Sequence, residues 1–205
     1  MKDIKLGRDI TYKNVTVVGK LDFTYMDEKA PDLPKLRIWQ WKNDSNVVKE
    51  VIETEISFVN VTFEKDVIAY YHEEDSGYTF TADFENNVNF RNCKFKSGAM
   101  FKYSKFDSDA SFENATFLDA TTFKYAKFEL RANFEGSVFE EDATFKYASF
   151  RNGVSFNGVN FVSSLDMKYT SVRGDFETES MYVGDSMQTK YANINGRSFS
   201  RSMIE

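Results

Sequence analysis

Five Lys-Tyr pairs recur at a fixed interval: Lys102-Tyr103, Lys124-Tyr125, Lys146-Tyr147, Lys168-Tyr169 and Lys190-Tyr191. In any fold that repeats with the same interval they stack into two ladders, one of ammonium groups and one of phenols. Lys105 and Lys127 add charge nearby. Interleaved cations and rings are the equipment of a surface that receives an anionic or aromatic partner. The plain structural alternative is repeat duplication, in which lysine stems and stacked rings merely cover the protein. The remaining reactive groups are sparse. The chain has one histidine, His72, inside YYHEEDSG, and one cysteine, Cys93. Adjacent residues such as those around His72 seldom converge on one ion without partners elsewhere, so no metal site is expected. There is no Ser-His-Asp set, glycine-rich phosphate cradle or paired-cysteine motif. No catalytic residue and no cofactor are assigned, and the expectation is a protein that is not an enzyme.

Charge narrows the partners further. Lys and Arg number 26 against 32 Asp and Glu, a net charge of -6 over 205 residues. No global basic field recruits nucleic acid or an anionic membrane, which argues against direct nucleic-acid binding. The opening MKDIKLGRDI lacks an apolar signal region, and the longest apolar run is Val67 to Tyr71. The expectation is a cytoplasmic protein with no membrane span. The length suits a single domain, 1–205.

The elements that position the ladders follow from 21 phenylalanines. From Phe84 to Phe161 they recur in steps that alternate six and five, and Met167 and Val172 continue the count. Two residues before each stands a smaller side chain, as in Val88, Cys93, Ala99, Ser104, Ala110 and Ala115. Neither a helix nor a plain strand has that period. It describes short straight segments, each with a small then a large inward side chain, joined by corners. The five-residue steps are of two alternating kinds, FKYAKF (123–128) and FENATF (112–117), each recurring every 22 residues. One coil is therefore 22 residues with four sides, and solenoids of this kind bond each coil to its neighbours.

This pattern resembles the pentapeptide-repeat family, in its phenylalanine-centred A-x-F branch. The resemblance covers roughly Tyr12 to Phe199 and departs from strict fives at every second step. It implies an all-β fold, a right-handed four-sided parallel β-helix. Counting back through Phe63, Phe58, Val17 and Tyr12 gives about seven coils, a rod of ~34 Å at ~4.8 Å per coil. Two overlong steps place insertions at 24–51 and 70–83, both on the FKYxxF side, between an N-terminal cap at 1–11 and regular coils at 84–199. The first insertion holds Trp39 and Trp41, and loops inserted on one face are often the binding face. Near the C-terminus Phe176 and Met187 take small positions while Thr178 and Thr189 take large ones, a swap that conserves volume.

The functional expectation is a non-enzymatic scaffold that presents the Lys/Tyr face, with Trp39 and Trp41 beside it, to a protein partner. The alternative, implied by the resemblance, is an acidic DNA mimic that binds a type II topoisomerase. Glu113, Glu135 and Glu179 would form its face, interrupted by Arg91 and Asn157. At the C-terminus only SFSRSMIE follows Arg197. Such a tail is too short for a stable capping helix, so Phe199, Met203 and Ile204 are expected at a homodimer contact unless they fold back as a lid. Cys93, at a small inward position, is expected to be buried and inert.

Overall fold

The computed structural model describes residues 2–33 and 46–204. Its strands line up in four sheets, here A to D, each crossed once by every coil. Within a coil the chain passes from A to B to C to D and then climbs to the next. All pairing between coils is parallel and in register, for example Phe95 with Phe117 and Phe106 with Phe128. Most strands are two residues long. Alone such strands could not persist, and they exist because every coil bonds to the coil above and the coil below.

The register puts like on like. Phe90, Phe112 and Phe134 stack at 5.5 and 5.0 Å between ring centres, and Phe95, Phe117 and Phe139 at 4.6 and 4.5 Å. Rings of neighbouring columns meet edge to face, as Phe112 and Phe123 do at 5.2 Å. The small residues, Ala110, Ala115, Ala126 and Ala132 among them, are buried between the columns. Among the described residues the core is a lattice of stacked and edge-to-face rings. Phe176 does stand at the small position, paired with Val154, as the volume swap requires.

Local chemistry makes the corners. In the A-to-B and C-to-D corners a residue with left-handed φ closes an i to i+3 turn, as where Ala115 N–H donates to Phe112 O and Ala126 N–H to Phe123 O. The residue before the large corner side chain, Phe134 or Met167, caps the turn from its own side chain: Asn133 Oδ1 accepts from Glu135 N–H at 2.9 Å and Asp166 Oδ1 from Lys168 N–H at 2.9 Å. These are Asx-type bonds, the reason Asn, Asp, Ser and Thr favour such places.

The two overlong steps do more than insert loops. In sheet D the first two strands, Val47–Ile52 and Thr79–Phe84, run six residues and pair along their whole length. Strand Tyr70–His72 pairs antiparallel with the second. Together they form an arm that continues sheet D past the corner it shares with sheet C. Residues 47–51 and 79–83, counted from the sequence as insertion, are thus part of the sheet. Trp39 and Trp41 lie outside the described residues. At the N-terminus a single helical turn, Lys2–Lys5, lays Ile4 on the first coil's core.

Candidate functional site

The Lys/Tyr ladders stand on the C-to-D corner, each pair occupying the two central residues of a turn. They project from the corner and not from the flat of a sheet. The backbone fixes their register, since Tyr103 N–H donates to Lys124 O, Tyr125 N–H to Lys146 O and Tyr147 N–H to Lys168 O. Each tyrosine sits at left-handed φ: 64° at Tyr103, 61° at Tyr125 and Tyr147, 60° at Tyr169, 63° at Tyr191. At the equivalent A-to-B corner the same position holds Asn92, Asn114, Gly136, Gly158 and Ser180. Those residues suit it: Asn and Gly tolerate left-handed backbone, and at Gly136 any Cβ would collide with Asn114 Oδ1.

Tyrosine has no such excuse, and left-handed backbone costs about 1–2 kcal/mol for an ordinary L-residue. Stacking offsets much of it. Rings 103, 125, 147, 169 and 191 follow one another at 4.8, 4.6, 4.6 and 4.9 Å, and such a pair contributes ~0.5–1.5 kcal/mol. The two magnitudes cancel to within their spread, so the ladder gains the fold little. Stacking also hides the ring faces. What the ridge displays is a row of ring edges and hydroxyls, which removes the base-stacking platform that an alternation of lysine and tyrosine had implied.

The ridge separates two grooves. On the sheet C side Lys124 and Lys146 border a groove of about 600 Å³ floored by Met100, Thr122, Thr144 and Asp166. On the sheet D side Tyr103, Tyr125 and Tyr147 border one of about 620 Å³ floored by Lys105, Lys127 and Ser149, with the arm closing its upper end. The lysine ladder is uneven. Lys168 pairs with Asp166 at 3.4 Å, and Lys102 donates to Tyr70 Oη at 2.9 Å. Among the described residues Lys124, Lys146 and Lys190 have no carboxylate partner. Their ammonium groups lie 5.4, 5.3 and 5.0 Å from the centres of the following tyrosine rings.

Sequence reasoning missed the arm's contribution to the second groove: Lys49, Thr81 and Asp83. The signal was in the alternation of Phe80, Ala82 and Phe84 with Thr79, Thr81 and Asp83, a strand that continues backwards from the lattice. Phe80, which lies outside the run of alternating steps that starts at Phe84, is fully buried on the inner face of that strand.

The other candidates are soon placed. Cys93 is 1% exposed and its Sγ–H points at Phe58 O, 3.4 Å away. Burial pushes its thiol up to about 12, far from a reactive thiolate. His72 is exposed on the arm, with Nδ1 2.9 Å from Thr79 Oγ1. Among the described residues no three His, Cys, Asp or Glu side chains gather as a metal would need. Glu113, Glu135 and Glu179 fall on the A-to-B corner, with Asn157 in their column accepting from Glu179 N–H.

The expected open C-terminal end is closed by the chain's own tail. Arg197–Ser198 turns back antiparallel on Asn193–Ile194. Phe199 is 6% exposed and meets Phe176 edge to face at 5.0 Å, and Ile204 packs on the core. Of the three residues read as a contact surface only Met203, 62% exposed, projects.

Seven four-sided coils, parallel-bonded on every side around columns of rings, define a right-handed quadrilateral β-helix. Residues 80–127 and 123–171 match the family model described as pentapeptide repeats (9 copies). Over that span the chain carries pentapeptide repeats. The coils before residue 80 pair in the same four sheets, although the match does not reach them. Searches of curated proteins and of solved structures find no match. Among the described residues no helix is long and apolar enough to cross a membrane.

Proposed function

We propose that the protein is a non-enzymatic interaction scaffold whose Lys/Tyr corner, flanked by the arm, engages a protein partner. The observation that carries this is a tyrosine at the left-handed position of the C-to-D corner in five successive coils, Tyr103 to Tyr191. Asn or Gly serves the equivalent corner at lower conformational cost, and stacking only cancels the strain, so stability does not account for the choice. A rigid ridge of hydroxyls beside lysines that lack ion partners is suited to an acidic surface. The ring lattice leaves no internal room for a substrate, and the one thiol and one imidazole are not arranged with other reactive groups.

The test is a pull-down from cells of the native host with wild type and with Lys124→Glu/Lys146→Glu. Both side chains are only half-buried on the ridge, so the variant should fold. The expected result is a partner retained by wild type and lost by the double variant. Equal capture by both would remove the lysine ladder from the function.

A further inference from the structure

The groove on the sheet D side has a polarity that nothing in the fold requires. On a molecule of net charge -6 it gathers Lys49, Lys105 and Lys127 against one acid, Asp83. That acid is already committed: it accepts from Lys49 Nζ at 2.7 Å and from Lys105 N–H at 3.0 Å. Lys105 Nζ is held by Asp107. Lys127 has no carboxylate partner among the described residues, and it is exposed on the floor. Thr81, 2% exposed and lining the same groove, has an Oγ1 with no hydrogen-bond partner. Such a hydroxyl ordinarily finds one, because burying it unmade is unfavourable.

The groove is long and narrow. It runs from the first coil to the fifth, four spacings of ~4.8 Å, about the length of six residues of extended chain. A compact small molecule would leave most of it empty. With the ring faces hidden in the ladder, a nucleic-acid strand finds no stacking surface there. We propose that this groove binds an extended acidic peptide segment, a carboxylate on Lys127 and a backbone or side-chain group on Thr81 Oγ1. This rests on the scaffold reading and assigns the partner's chemistry to one side of the ridge.

Fluorescence anisotropy with three labelled probes tests it: an octapeptide of alternating serine and glutamate, its glutamine counterpart, and octathymidylate. The expected order is glutamate peptide first, with the other two at least about tenfold weaker. Lys127→Glu should weaken the glutamate peptide by about tenfold or more, and Lys94→Glu, exposed on sheet B away from both grooves, by less than about twofold. Thr81→Val should weaken it by about threefold or more while the free protein melts no lower, since an unpartnered hydroxyl has been removed. Melting curves confirm that each variant is folded. Equal binding of the glutamine peptide, tighter binding of octathymidylate, an unaffected Lys127→Glu, or no binding at about 1 mM peptide would each overturn the proposal. The scaffold reading survives separately if Lys124→Glu/Lys146→Glu loses the captured partner and Lys127→Glu keeps it.

Discussion

Phe128 lies between Phe106 and Phe150, 4.7 and 4.8 Å from their ring centres, and is 1% exposed. Its neighbours cannot move in to fill its place, because each is held by the backbone register of its own coil. Phe128→Ala should therefore leave a cavity and cost ~3–5 kcal/mol, read from denaturant unfolding. A loss below ~1 kcal/mol would mean that the ring is not part of a column. At this scale the sequence was nearly transparent. A phenylalanine spacing of six and five has one physical solution, and Phe90 to Phe161 occupy the places it assigns. What spacing could not convey is backbone conformation. That Tyr125 shares the left-handed position of Asn114 follows only when the two kinds of five-residue step, FKYAKF and FENATF, are superposed.

Within the ladder as an element, stacking acts on the phenol at its centre. Removal from water, and then its neighbours Tyr169 and Tyr125, raise the Tyr147 phenol above its ordinary value near 10. A raised value means that the fold favours the neutral phenol. The contribution of this phenol is thus fully present below the unfolded value and is lost as pH rises through the folded one. The melting temperature should fall as pH rises past about 10, and should fall less in Tyr147→Phe, which stacks but cannot ionise. Comparing the two proteins isolates this one hydroxyl. Identical pH profiles would show that the stacked phenols do not couple to stability. The arm was less legible than the ladder. The overlong steps at 24–51 and 70–83 placed it at the correct corner, but the alternation of Phe80, Ala82 and Phe84 has a partner strand, Val47–Ile52, in which Glu50 stands opposite Ala82 and breaks the apolar pattern.

For the molecule as a whole the question is how a solenoid ends. The N-terminal coil has Ile4 laid over it and salt links from Lys5 to Glu28 and from Lys29 to Glu50. The C-terminal coil has eight residues after Arg197, and composition alone suggested an apolar end awaiting a second copy. The tail answers differently, because Asn195 and Gly196, at φ 51° and 83°, allow a reversal that no helix propensity could forecast. Asn193 Oδ1 accepts from Gly196 N–H at 2.8 Å and holds that turn. Phe199 then covers the ring of Phe176, and Arg201 donates to Val183 O at 3.0 Å, tying the lid across to sheet B. A lid and a dimer contact respond oppositely to the same change. Replacing Phe199 and Ile204 with Asp would split a dimer held by those side chains, lowering the mass in light scattering with little effect on each protomer's melting. If they form a lid, the charges open the end of the core. Stability then falls by roughly 3 kcal/mol or more, a drop in Tm of about 6–12 °C. The exposed coil, with Phe176 uncovered and no further strand on sheets A to C among the described residues, then associates instead of dissociating. The lid predicts the second pattern, and a halved mass with unchanged melting would instead establish the two-fold contact.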